Sequence, residues 1–138
     1  MNVSIIGTVG VPANYGGFES LVENIIGDNS SKNIHYTIYC SSKNYSQKLL
    51  SYKNAKLKYI PLNANGSQSI LYDIISLLKA TRSSDVILVL GVSGCCFLPV
   101  YRLFSRKRLV INIDGLEHKR DKWGKWTRRF LKFSEKMA

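Results

Sequence analysis

The sequence is short of cysteine, histidine, acidic residues and long apolar runs, and each shortage removes a class of protein. Its three cysteines are Cys40 and the adjacent pair Cys95 and Cys96. They form neither a disulfide framework nor a C-x-x-C metal or redox pair, so a reducing cytosol is the simpler setting. The acids near His118 have no second histidine or paired cysteine beside them, and no metal site is expected. No stretch approaches the roughly 18 apolar residues of a spanning helix. Met1 to Gly7 lacks the basic start and the longer apolar region of a signal peptide. Neither an exported nor an integral membrane protein is expected.

What is present is apolar bulk and positive charge. The 138 residues are 45% hydrophobic and 21% charged, a globular composition that excludes disordered, collagen-like and disulfide-scaffold chains. The length suits one domain over 1–138 with a real core. Twenty Lys and Arg stand against nine Asp and Glu, a net charge of +11. Residues 102–138 carry twelve of those cations and only four of the acids. A basic end of this kind points to an anionic partner: nucleic acid, anionic lipid or a phosphorylated ligand. A solvated helical face is the plain alternative.

Short apolar runs alternate with helical patterns. Residues 2–6 read as a buried strand stopping at Gly7. Phe18, Leu21, Val22, Ile25 and Ile26 form the core-facing stripe of a helix from Gly17. Ile34–Cys40 and Lys56–Pro61 read as strands, with a weak helix over Tyr45–Tyr52 between them. Ser67 or Ser69 is expected to cap a helix whose wide apolar face is Ile70, Leu71, Ile74, Ile75, Leu77 and Leu78. Asp85–Leu90 is the most hydrophobic strand, suited to the centre of a parallel sheet. A helix over Cys95–Phe104, a fifth strand over Leu109–Ile113, a loop over 114–122 and a helix with Trp126, Phe130, Phe133 and Met137 complete the chain. This alternation predicts an α/β class, a Rossmann-like, doubly wound parallel sheet. The pattern stops inside a helix without a capping glycine or proline, as if cut or completed by something else.

In such sheets ligands sit beyond the carboxyl ends of the strands, so the loops there are the candidate sites. The first, Gly7 to Glu19, holds four glycines but matches neither G-x-G-x-x-G nor a P-loop. Gly16-Gly17 at a helix N-terminus lets backbone N–H groups approach an anion, and a tight turn alone would also use these glycines. The second follows the fifth strand and brings Asp114 and Glu117 to a strand end beside His118, the one side-chain type whose ordinary pKa lies near neutrality. The neighbouring cations favour salt bridges over general acid work. The final helix mixes Trp123, Trp126, Phe130 and Phe133 with Lys122, Lys125, Arg128, Arg129, Lys132 and Lys136, as interfacial helices on anionic membranes do. The alternative turns its aromatic residues toward the sheet.

Ile5-Ile6-Gly7-Thr8-Val9-Gly10-Val11-Pro12-Ala13-Asn14-Tyr15-Gly16-Gly17-Phe18-Glu19, with Asn112-Ile113-Asp114-Gly115-Leu116-Glu117, Lys119-Arg120-Asp121-Lys122-Trp123 and Leu131-Lys132-Phe133-Ser134-Glu135-Lys136, resembles the N-terminal domain of bacterial rhamnosyltransferase-like enzymes. Those are retaining, GT-B, family-four glycosyltransferases of capsule, O-antigen and exopolysaccharide assembly. The resemblance covers the whole chain and implies one half of a GT-B architecture, the acceptor side, with the C-terminal donor-binding domain absent. It implies a nucleotide-sugar donor, dTDP- or UDP-linked, and no other cofactor. By it, Gly10, Asn14, Tyr15, Gly16 and Gly17 face the donor phosphates, where backbone donors stand in for a metal. Asp114, Glu117 and His118 line the catalytic, acceptor side, with Lys119, Arg120 and Lys122 near phosphates. The implied acceptor is a polyprenyl-diphosphate-linked glycan at the inner face of the cell membrane. Trp123, Lys125, Trp126, Arg128, Arg129 and Lys132 would meet that surface. Two positions depart from the family pattern: Val9 stands where an arginine is usual, and His118 where a tryptophan follows Leu-Glu.

The expectation is therefore a cytoplasmic, membrane-associated glycosyltransferase domain that transfers a hexose or deoxyhexose and has little turnover by itself. The alternative is a non-catalytic module that binds membrane or acceptor and serves a partner subunit. A nucleic-acid partner has no recognised motif behind it.

Overall fold

In the computed structural model, which describes residues 1–14, 16–28, 33–113 and 124–138, every buried apolar run has become a strand. The elements are β1 (Asn2–Ile6), α1 (Gly17–Gly27), β2 (His35–Ser41), β3 (Ser51–Tyr52), β4 (Ala55–Ile60), α2 (Ser69–Thr81), β5 (Val86–Leu90), α3 (Leu98–Phe104), β6 (Arg108–Asn112) and α4 (Lys125–Met137). They form a mixed α/β fold, consistent with a Rossmann-like one, on a single six-stranded sheet of order β3-β4-β2-β1-β5-β6.

Successive strand residues point to opposite faces, and the two faces bury different partners. Ile5, Ile38, Cys40, Leu57 and Leu90 pack with Val22 and Ile26 of α1. Their neighbours Ile6, Tyr39, Ile60, Ile87 and Val89 pack with Tyr72 and Leu77 of α2, Leu98 and Tyr101 of α3, and Leu131 of α4. One helix therefore covers one face and three cover the other. Burying both faces is what lets β5 consist wholly of apolar residues.

Five strands run parallel, and β3 departs from the expected all-parallel sheet by pairing antiparallel with β4, Ser51 with Lys56 and Tyr52 with Ala55. This hairpin, turning at Lys53 with φ 49°, replaces the helix expected over Tyr45–Tyr52. Tyr45, Leu49 and Tyr52 are only partly buried against the core there, and Tyr52 is taken into the strand pairing with Ala55, which leaves too narrow a stripe to hold a helix. Neither Ser67 nor Ser69 caps α2. A 3-10 turn over Gly66–Gln68 leads into it, and the Ser69 hydroxyl donates to the Gly66 carbonyl at 2.9 Å. The helix expected over Cys95–Phe104 is likewise split into a 3-10 turn, Cys95–Phe97, and the shorter α3.

The apolar face of α2 is turned from the expected one. Tyr72, Asp73, Ser76, Leu77 and Ala80 are buried, whereas Leu71 and Leu78 are exposed. Two polar side chains go inward because each finds a partner: Ser76 donates to the Tyr72 carbonyl at 2.7 Å, and Asp73 meets the loop after β5.

Candidate functional site at the switch point of the sheet

The chain builds outward from β1 through β2 to β4, then returns through α2 to lay β5 on the other side of β1. Strand order reverses between β1 and β5, and it is at the carboxyl ends of the strands flanking such a reversal that these sheets have the crevice in which ligands bind. The loops there are 7–16 after β1 and 91–97 after β5.

The loop after β1 is held at four points. The Ser41 backbone N–H donates to Val9 O at 2.8 Å. The buried Tyr72 hydroxyl lies 2.8 Å from both Thr8 O and Tyr39 O, so its single hydrogen is shared between two carbonyls. Tyr45 donates to Pro12 O at 2.9 Å. Glu23 of α1 accepts the Ala13 N–H at 3.0 Å. That hydrogen bond leads the effects that hold the Glu23 carboxyl below its ordinary range, helped by Tyr52 and by Lys53 at 3.9 Å. Burial pushes the Tyr45 and Tyr72 hydroxyls far up, so both remain protonated donors. Such a loop presents its backbone in one shape before any ligand arrives.

The loop ends at Gly16, which caps α1 with φ 134°, a conformation that favours glycine. Gly16 and Gly17 are both exposed, as is Asn14, and a Cβ at Gly17 would meet no atom within 4 Å. The sequence-predicted phosphate residues divide here. Asn14, Gly16 and Gly17 come together at the open N-terminus of α1. Gly10 is buried against Cys40 instead, and Tyr15 lies outside the described residues.

Two carboxyl groups that carry no motif signature sit in this layer. Glu19, in the first turn of α1, is buried, and its Oε2 would stand 2.9 Å from a Cβ on Gly16. A carboxylate at that end complements the helix dipole, so an incoming anion meets negative charge already in place. Asp73 is buried and accepts hydrogen bonds from the Ser93 hydroxyl and the Gly94 N–H. Burial outweighs both and lifts its carboxyl to about 7. Gly94 is the residue that permits this approach, since a Cβ there would lie 2.5 Å from the Asp73 Cβ. The signal for Asp73 was an acid on the same helical stripe as Ile70 and Leu77. For Glu19 it was an acid three residues after the helix-capping glycine.

Asp114, Glu117 and His118, the expected catalytic residues, lie outside the described residues, as do Lys119, Arg120, Lys122 and Trp123. What is described is the entry to that segment: Asn112 O, at the end of β6, accepts the Gly91 N–H at 2.9 Å. The chain thus leaves β6 beside the loop that follows β5. Among the described residues no group of three or more His, Cys, Asp or Glu is placed to hold a metal ion. All three cysteines are free thiols.

A carboxyl-end crevice with a fixed glycine loop occurs in many α/β proteins, so geometry alone leaves the lineage open. The sequence matches, over residues 1–138, a family described as a domain of unknown function, DUF1972. The chain belongs to that family. No curated protein matches it.

In this DUF1972 domain the outward membrane-candidate residues of α4 are Lys125, Trp126, Arg129 and Lys132, while Arg128 is half-buried. Leu131 and Ser134 face the core with Phe130 beside them. Trp126 and Phe133 point away from it, and the Arg129 guanidinium lies 5.8 Å from the Trp126 ring centre. Of the aromatic stripe seen in the sequence, Phe130 alone packs against the core and the other two described rings are left outside.

Proposed function

We propose that this domain is the acceptor side of a two-domain, GT-B glycosyltransferase resembling the rhamnosyltransferases. It transfers a hexose or deoxyhexose from a dTDP- or UDP-sugar to a polyprenyl-diphosphate-linked glycan in surface-polysaccharide synthesis. The observation that carries the reading is the fixed loop at the switch point, which offers exposed backbone at Gly16 and Gly17 toward a crevice beside the exit of β6. The association of the DUF1972 family with glycosyltransferase N-termini supports it. The donor is bound chiefly by a second domain, and Asp114, Glu117 and His118 act from the acceptor side, with Lys119, Arg120 and Lys122 on phosphates. The domain works at the inner face of the membrane, held by the basic aromatic face of α4.

The test supplies the donor-binding half as a separate chain and measures sugar transfer to a polyprenyl-diphosphate acceptor from several nucleotide sugars. Transfer that depends on both chains is expected. A well-folded pair that transfers no sugar from any donor overturns the reading.

One observation favours a second reading, a non-catalytic module that binds acceptor for a partner subunit. The Glu19 carboxylate already lies at the positive end of α1, where a leaving diphosphate would bind. Titration calorimetry with UDP and dTDP separates the two: tighter nucleotide binding by the assembled pair after Glu19→Gln, with transfer retained, favours the enzyme.

A further inference from the structure

The helices on the two faces of the sheet differ in charge, although Lys53 beside α1 pairs with Glu23. On one face, residues 17–28, which form α1 and its end, contain Glu19, Glu23 and Asp28 and no lysine or arginine. On the other, Lys79, Arg102, Arg106, Arg129, Lys132 and Lys136 are exposed on or beside the three helices. The acids of those helices are Asp73, which is buried, and Glu135, which is half-buried. The three-helix layer therefore shows cations outward and keeps its carboxyl groups in.

The same layer shows large apolar side chains. Leu103 is 87% exposed and Phe104 58% at the C-terminal end of α3, and Trp126 of α4 is 83% exposed. A single outward leucine is ordinary on a soluble protein. Leucine and phenylalanine in succession, bracketed by Arg102 and Arg106, are the mixture that interfacial elements use: apolar atoms enter the headgroup boundary while arginine stems lie along them and keep their charge at the phosphates. Among the described residues no helix is long and apolar enough to cross a membrane, so this contact is made from one side.

We infer that the outer face of the α2, α3 and α4 layer docks on an anionic lipid bilayer, with Leu103 and Phe104 of α3 as an anchoring point in addition to α4. The inference rests on the membrane reading of α4 given above and extends it to a second helix. The occupant is lipid because positive charge and protruding apolar side chains coincide on one face, whereas a nucleic acid would use the charge and leave Leu103 and Phe104 in water. With that face down, the acidic α1 is held away from the bilayer.

The test is flotation of the protein with vesicles of phosphatidylcholine alone and of phosphatidylcholine with phosphatidylglycerol, at low and high salt. Binding to the anionic vesicles, weakened by salt, is expected. Leu103→Ser with Phe104→Ser should weaken it about tenfold with a small fall in the urea midpoint, since Phe104 gives up its ring contacts with Tyr101 and Phe97, and Leu103→Ser alone should weaken it without changing the midpoint. Lys125→Glu with Arg129→Glu should weaken it to a similar degree. An unchanged affinity for the α3 pair, with a loss for the α4 pair, overturns the role of α3 and leaves the α4 reading standing. No binding by the unaltered protein overturns both. Two further results also overturn the inference: binding to duplex DNA but not to vesicles, and a dimer that the α3 substitutions dissociate without any change in lipid affinity.

Discussion

Ser93 donates its hydroxyl to the carboxylate of Asp73, joining the loop after β5 to the second turn of α2. The next residue toward the N-terminus, Tyr72, does the same for the loop after β1 through Thr8 O. Two consecutive residues of one helix thus hold both walls of the switch-point crevice.

Asp73 gives the fold a pH dependence with a defined sign. Its carboxyl is raised from 3.8 to about 7, chiefly by burial. Between those values the folded protein keeps a proton that the unfolded chain has lost, so this contribution is full below the lower value and fades as pH rises through the upper. Urea midpoints measured from pH 5 to 8.5 should therefore fall with rising pH in the unaltered domain and run flatter in Asp73→Asn. Equal slopes would place the titration elsewhere.

Glu23 acts in the opposite direction and in a separate window. The Ala13 N–H, then Tyr52 and Lys53, hold its carboxyl below 4.5, so its stabilisation is present above that value and lost as pH falls through the lowered one. Glu23→Gln should lower the urea midpoint at pH 6, and the difference should shrink as the pH is lowered into the acid range. Hydrogen exchange should show the Ala13 amide losing protection in the same variant.

Tyr72→Phe removes a hydroxyl that serves Thr8 O and Tyr39 O at 2.8 Å each and leaves both carbonyls short of a donor. A loss of about 1–3 kcal/mol is expected, read from urea unfolding. A loss confined to the loop would appear as faster exchange at Gly10 and Ala13 with the global midpoint unchanged.

A pair of glycine substitutions separates architecture from binding. Gly94→Ala drives a methyl group to within 2.5 Å of the Asp73 Cβ and should cost about 1–3 kcal/mol. Gly17→Ala meets nothing within 4 Å and should fold at least as well. If Gly17→Ala also leaves sugar transfer by the assembled enzyme unchanged, backbone approach at that position is not what the loop supplies.

Thiol chemistry should follow burial. Burial pushes Cys40 up to about 11 and Cys95 to about 12, which leaves both as slow thiols near neutrality. Iodoacetamide should therefore label the folded protein at Cys96, the half-buried one, and reach the others only in urea. Mass spectrometry of the peptides distinguishes the three.

The sheet was largely legible because burial on both faces writes itself as apolar runs: Val86–Leu90 is unbroken, and Val3–Ile6 is interrupted only by Ser4, whose buried hydroxyl pairs with that of Ser84. β3 was hidden because a two-residue strand has no period to read, and its pairing is decided by β4. The face of α2 was misjudged for the opposite reason. Leu71 and Leu78 count as core by hydropathy, yet Tyr72 and Asp73 win the inward positions through partners 64 and 20 residues away in the chain. Hydrogen bonds of that range leave no local pattern. The glycine loop of the candidate site was visible as a motif, and Gly10 could not be told from Gly16 until Cys40 was seen against it. Trp126 and Phe133 share a helical stripe with Phe130, and spacing alone does not say which ring the core has room for.

Because Tyr72 and Asp73 are neighbours on one helix, the two crevice walls share a single rotational setting. Each α-helical residue turns the chain by about 100°, so deleting or inserting one residue between Asp73 and Leu77 would turn both side chains off their loops while Leu77 and Ala80 stay in the core. Side chains on the exposed face of α2 can be exchanged, but the spacing between its crevice pair and its core pair cannot, and drift in this segment should proceed by replacement and never by gain or loss of a residue.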